Sequence, residues 1–186
     1  MKEIRWHGRG GQGSFTVARL LGKAAALFED KHALAFPSFG PERRGAPVLG
    51  FTKIDTKKIT DRSEVQQCDY VVVLDESLVG PGLVRGLKDG ASIILNSAHP
   101  GKHEILKDFK VVALDATSLA LEVLKRPITN TAMLGALIAY SEIVSLEAAI
   151  EAVKNELKPS IVEKNIEVIK KAYQKVKEES HESTKA

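Results

Sequence analysis

Along the first two-thirds of the chain, short apolar runs alternate with segments whose apolar residues recur at helical spacing, the pattern of an α/β domain. Residues 4–6 read as a strand that runs into glycines. Ser14 is a fair cap for a helix over Ser14–Phe28, where Val17, Leu20, Leu21, Ala24, Leu27 and Phe28 share a face. Residues 32–36 and 48–54 predict two further strands. The linker between them carries Pro37, Gly40, Pro41, Gly45 and Pro47, which leaves no room for a crossover helix. Those two strands are therefore expected to pair antiparallel or to be loosely connected.

Residues 70–74 (Tyr-Val-Val-Val-Leu) are unbroken and rich in β-branched side chains, as in a strand buried on both faces. Residues 77–87 are interrupted by glycines and predict a short or irregular helix; residues 92–95 and 111–114 predict two more central strands. Helices are expected over 117–124 and 131–144, the second apolar nearly all round and hence buried. In the final third, an amphipathic helix over 146–157 stops at Pro159. Ser160 and Glu163 then form a capping box ahead of a helix over 161–176 whose outer face is Lys and Glu. The expected organisation is one domain over residues 1–177 with a frayed polar tail over 178–186.

Composition narrows the partners. At 186 residues with 44% hydrophobic residues and a net charge of +3, the chain suits one folded domain and is too apolar to be disordered. Lys and Arg (27) nearly balance Asp and Glu (24), so no nucleic-acid partner is expected. Apolar stretches such as 133–140 fall far short of a bilayer-spanning helix. The N-terminal residues show no apolar export segment, and together these features predict a cytoplasmic chain with no membrane partner. Cys68 stands alone, which excludes an intrachain disulfide and suits a reducing compartment. One thiolate cannot hold an iron–sulfur cluster or a Cys-rich zinc site. Any such centres are expected on other chains.

The densest chemistry lies in Gly8-Arg9-Gly10-Gly11-Gln12-Gly13, followed by Ser14, between a predicted strand and a predicted helix. Glycines there permit a tight turn and close approach to a diphosphate, and the helix N-terminus favours an anion. A dinucleotide site also needs an acid at the end of the second strand. That strand ends in Phe36-Pro37-Ser38, and Glu29 and Asp30 fall at the helix end, which argues against NAD. Coenzyme A, whose nucleoside would be placed differently, remains open. A second loop, Ser38-Phe39-Gly40-Pro41-Glu42-Arg43-Arg44-Gly45, offers adjacent arginines able to clasp a carboxylate or phosphate, or is simply a solvated surface loop.

Taken with CDYVVVLDE from Cys68, ILNS from Ile94 and NTAMLGA from Asn130, these two loops resemble, in order and spacing, the gamma subunit of the pyruvate (2-oxoacid):ferredoxin oxidoreductases. The resemblance spans nearly the whole chain. It implies a Rossmann-like three-layer α/β/α sandwich, mostly parallel with room for an antiparallel strand, and C-terminal helices packed on it. The implied activity is oxidative decarboxylation of a 2-oxoacid with coenzyme A, giving acyl-CoA and carbon dioxide and reducing ferredoxin. Thiamine diphosphate and iron–sulfur clusters would sit mainly on partners, the alpha, beta and ferredoxin-like delta subunits. The resemblance maps coenzyme A phosphates to Gly8, Arg9, Gly10, Gly11, Gln12, Gly13 and Ser14, with Asn96 a less certain partner. Ser38, Glu42, Arg43 and Arg44 would serve that pocket or a subunit contact. The family loop often carries Tyr where Phe39 stands. Pyruvate is the expected substrate; 2-oxoisovalerate, 2-oxoglutarate and indolepyruvate are the alternatives within the family. Outside it stand a free-standing nucleotide-binding protein and a purely architectural subunit.

Other residues have simpler readings. Asp75 and Asp115 follow strands and are expected to cap the next helices, and Asn130 to cap the apolar one. His99 and His103 have metal-ligand spacing, but Pro100-Gly101 breaks any helix between them, so no metal site is expected. His7 adjoins the glycine loop and is expected to be hydrogen-bonded. Cys68 reads as a packing residue. No Ser–His–Asp set or Walker lysine occurs, so no catalytic residue is assigned to this chain.

Overall fold

The linker before residue 47 is too rich in proline and glycine to cross back over the sheet, so the chain reverses there and lays one strand against its neighbours. A computed structural model, describing residues 1–38 and 44–183, shows the outcome. Strands β1 (Lys2–Arg9), β2 (His32–Pro37), β3 (Pro47–Asp55), β4 (Cys68–Val73), β5 (Leu87–Asn96) and β6 (Lys110–Leu114) form one sheet in the order β2-β3-β1-β4-β5-β6. β3 is antiparallel to both β1 and β2, while β1, β4, β5 and β6 run parallel. The mostly parallel α/β fold with an antiparallel strand is thus the one expected.

One face of the sheet carries the long helices: α1 (Ser14–Phe28), α3 (Ala116–Leu124), α4 (Asn130–Ser141), α5 (Leu146–Glu156) and α6 (Pro159–Ser183). Alternation along the strands sends Ile4, Trp6, Val72 and Ile94 into this larger core. Helix α4 is buried along ten consecutive positions, as its all-round apolar pattern predicts. The polar atoms of Trp6 and Thr52 taken inside are paired. Trp6 Nε1 donates to Thr52 Oγ1 at 3.0 Å, and Thr52 donates to the Ala18 carbonyl at 2.9 Å.

The other face is covered thinly, by α2 (Pro81–Val84), 3-10 turns at Glu76–Leu78 and Glu104–Leu106, and the connections between them. Leu83 and Leu106 cover Phe51, Val71, Val73, Ile93 and Leu95 there. Buried Lys53 reaches Asp61 at 2.6 Å and holds the segment after β3 against this face. Buried Arg5 holds α2 in place, donating to the carbonyls of Leu83 at 2.8 Å and Arg85 at 2.7 Å. Its Nε also donates to His7 Nε2 at 2.9 Å, so His7 is a neutral acceptor.

Burial, reinforced by the Arg5 guanidinium, pushes the His7 pKa from 6.5 down to about 3. A pKa lowered by folding means that the unfolded chain binds this proton first as pH falls. Stability is therefore expected to decline between pH 6.5 and about 3, by at most about 1.4 kcal/mol per pH unit from this group. His7→Gln, whose amide oxygen can accept the Arg5 N–H, should flatten that acid limb in denaturant unfolding. An unchanged pH dependence would contradict the neutral-acceptor role.

Several boundaries differ from the sequence pattern. β1 runs on through Gly8 and Arg9 because they pair with Val48 and Pro47 of β3. β5 starts at Leu87, well before Ser92, since Cys68 pairs with Leu87 before the ladder shifts register. The expected irregular helix is two short pieces, the turn Glu76–Leu78 and α2. Helix α6 continues past Glu178 to Ser183, where the polar pattern predicted fraying. Among the described residues no helix is long and apolar enough to cross a membrane.

Candidate functional site

At the carboxyl end of β1, Gly10, Gly11, Gln12 and Gly13 turn the chain into α1. Gly11 and Gly13 take φ values of 93° and 80°, a backbone region that side-chain-bearing residues disfavour. Gly13 occupies the cap position of α1, so no side chain caps the helix. Its first-turn N–H groups have no partner within the helix, and the helix dipole is positive there. The Ser14 hydroxyl, packed against Gly8 in a residue only 2% exposed, is buried without a hydrogen-bond partner. Buried polar groups are rarely left so. An uncapped helix start beside an orphaned hydroxyl suits an anion with several acceptor oxygens, such as a phosphate.

The rest of the turn is braced by a polar ring. Gln12 folds back to accept the Arg9 backbone N–H at 2.7 Å and donates to Asp75 Oδ2 at 2.8 Å. Asp75 accepts from the Ser77 N–H at 3.0 Å and hydroxyl at 2.6 Å, the capping role expected of it. Arg9 closes the ring, donating to Ser77 Oγ at 2.9 Å and to the Gly45 carbonyl at 3.1 Å, with its Nε 3.4 Å from Asp75. Burial tends to raise the Asp75 pKa, but the Ser77 and Gln12 hydrogen bonds outweigh it and keep the carboxylate below its usual range. This ring spans β1 and β4, where the strand order reverses and open α/β sheets place their ligands.

Two concavities share Gln12. One, of about 580 Å³, is lined by Gly10, Gly11, Gln12 and Arg44. The other, of about 400 Å³, lies over the ends of β4–β6 and includes Asp75, Glu76 and Asp115 in its lining. The Lys102 ammonium and then the Ser97 hydroxyl hold Glu76 down at about 2. Hydrogen bonds from Ser118 likewise lower Asp115, which caps α3 as expected. The second concavity is thus lined by carboxylates, whereas the first offers the Gly11 N–H and an exposed arginine, the N–H groups of Gly10 and Gln12 being bonded to the Ala46 and Arg9 carbonyls at 2.8 and 2.9 Å.

Asn96 lies in the anionic concavity and is committed within the protein. Its Nδ2 donates to the Leu74 carbonyl at 2.9 Å and Thr117 Oγ1 at 3.0 Å, and its Oδ1 accepts from the Ala116 N–H at 3.0 Å. That pattern joins the ends of β4 and β5 to the start of α3. It leaves the side chain little capacity for a ligand, contrary to the expectation from strand position. Ser38 donates its N–H to the Leu49 carbonyl at 2.9 Å, extending the β2–β3 pairing. Glu42 and Arg43, with Phe39, fall outside the described residues. His103 lies 3.3 Å from Glu76. Cys68 is buried, and burial raises its thiol pKa, as for an inert packing residue.

Asn130 departs from its expected role. Thr129 occupies the cap position, and Asn130 is the first helical residue, its Oδ1 accepting from Thr131 N–H at 2.9 Å. Its Nδ2 stands so close to the glycine turn that a Cβ at Gly13 would come within 2.5 Å of it. Both this contact and the Gln12–Asp75 bond join residues far apart in the chain, so no spacing pattern signals them.

Comparison with known proteins gives the same frame. The family model for pyruvate ferredoxin/flavodoxin oxidoreductase matches residues 3–175. The pyruvate synthase subunit PorC of Methanothermobacter thermautotrophicus is 48% identical over 178 residues, covering 95% of this chain and 96% of that protein. The pyruvate/ketoisovalerate oxidoreductases common subunit gamma of Pyrococcus furiosus is 45% identical over 181 residues, covering 94% and 97%. The crystal structure of pyruvate oxidoreductase subunit PORC from Thermotoga maritima superposes with a TM-score of 0.81 at 36% identity, covering 93% of this chain and 95% of that one.

Proposed function

The chain belongs to the pyruvate ferredoxin/flavodoxin oxidoreductase family, and from that premise we propose that it serves as the gamma-type subunit of a cytoplasmic pyruvate:ferredoxin oxidoreductase whose coenzyme A phosphates rest on the turn after β1. The observation that carries the coenzyme A reading is the uncapped start of α1 with the orphaned, buried Ser14 hydroxyl behind it. The uncommitted N–H groups of Gly11, Gly13 and the first turn of α1 donate to phosphate oxygens, with the Ser14 hydroxyl buried behind them, and Arg9 and Arg44 supply positive charge. Gln12 acts by holding the turn in shape. Asn96 is a structural tie and contributes no phosphate contact.

Thiamine diphosphate and iron–sulfur clusters belong to the partner alpha, beta and delta subunits, since the single Cys68 cannot bind a cluster. The gamma chain alone is accordingly inactive, and ferredoxin meets the assembly on another subunit. Which 2-oxoacid reacts is set by those partners. This chain is nearly as similar to a subunit named for both pyruvate and ketoisovalerate as to one named for pyruvate alone.

Calorimetric titration of the assembled complex with coenzyme A tests the reading. Arg9→Ala should weaken binding by about 1–3 kcal/mol, the worth of a charge-assisted hydrogen bond. NAD should bind neither form. Wild-type affinity in Arg9→Ala would remove Arg9 from the site.

A further inference from the structure

On the helical side of the molecule, a groove of about 420 Å³ runs between the α3–α4 connection and the start of α6. Its apolar lining is Leu124, Ile128, Leu157 and Ile161, and its only charged lining residues are Arg126 and Lys164. Ile128 and Ile161 lie side by side on it, 42% and 45% exposed. No carboxylate lines the groove, and neither Arg126 nor Lys164 has a side-chain hydrogen bond or ion pair among the described residues. This contrasts with the nearby surface, where Glu122 pairs with Lys171 and Glu156 with Lys23. Lys158, exposed between Leu157 and Pro159, adds to the basic rim.

Bare aliphatic side chains framed by unpaired cations mark a contact surface better than a solvated one. We propose that this groove docks an acidic, apolar-tipped segment of another subunit of the complex, its carboxylates meeting Arg126 and Lys164 and its aliphatic or aromatic side chain covering Ile128 and Ile161. The inference rests on the reading of this chain as one subunit of a larger oxidoreductase. It concerns a face built around the α3–α4 connection and the starts of α4 and α6, which meets the glycine turn only at its edge, through Thr16 and Asn130.

The test is co-expression of the tagged chain with the other subunits, measuring retained partner as salt is raised. Arg126→Glu/Lys164→Glu should weaken association at least tenfold, and Arg126→Gln/Lys164→Gln less, with a reduced salt dependence. Ile161→Asp should also weaken association, and thermal unfolding of each isolated variant shows that the exposed substitutions leave the fold intact. Equal retention of partners by wild type and these folded variants would overturn the groove and leave the subunit reading standing. Failure of the wild type to retain any partner would overturn both. If the isolated wild type is instead a dimer that Ile161→Asp separates, the occupant is a second copy of this chain and the proposal is wrong.

Discussion

Gly11→Asp is expected to abolish coenzyme A use by the complex while leaving the subunit folded and assembled. A Cβ at Gly11 would meet nothing within 4 Å, so the cost to folding is backbone strain at φ 93°, on the order of 1–2 kcal/mol. The new carboxylate would stand in front of α1, take the amides for itself and repel a phosphate from the same place. We expect affinity to fall by about 100-fold or more, roughly 3 kcal/mol. Titration with coenzyme A, turnover with pyruvate and a thermal melt separate the two effects. Unaltered affinity would remove the glycine turn from the phosphate site.

The largest effect on stability is expected from Gly135→Leu. Helix α4 passes α6 so closely that even a Cβ at Gly135 would come within 2.6 Å of the Ile169 carbonyl oxygen and 3.0 Å of the Ala172 Cβ. The obstructing atom is backbone, which cannot swing aside, so a larger side chain must part the two helices and open the main core. Overpacking of this kind costs about 1–3 kcal/mol and occasionally more; with backbone as the obstacle we expect the upper end or beyond. Gly82→Ala, where nothing lies within 4 Å, is the control and should stay within about 0.5 kcal/mol of wild type. Equal stabilities in urea unfolding would mean that α4 and α6 are not packed as described.

Most of the architecture was legible from periodicity. The run at residues 70–74 and the apolar helix near residue 135 can only be buried, and the prolines before residue 47 forbid a crossover. What could not be read came from long-range pairing. Gly8 and Arg9 join β1 because Val48 and Pro47 present their backbones to them. The bulge between Cys68 and Tyr70 likewise depends on what β5 brings alongside.

The candidate site divides in the same way. The glycine turn announced itself, because its residues are contiguous and lie between a strand and a helix. Asn96 misled, since standing after a strand says nothing about whether a side chain is already satisfied; Leu74, Ala116 and Thr117 satisfy it. Gln12 reads as a ligand contact, and its hydrogen bonds add a bracing role that no spacing pattern signals. The Asn130 amide over Gly13 and the groove near Ile161 arise from helices meeting in space, which residue spacing does not encode.

The single reversed strand has a geometric consequence. Since β3 sets out opposite the point where β1 finishes, with Arg9 facing Pro47, the segment bearing Arg44 is delivered to the doorstep of the glycine turn. In a wholly parallel arrangement β3 would begin at the far rim, separated by the length of the 8-residue β1, roughly 26 Å. Chain reversal thereby makes neighbours of Gly10 and Arg44, which a uniform winding would have set on opposite shores of the sheet.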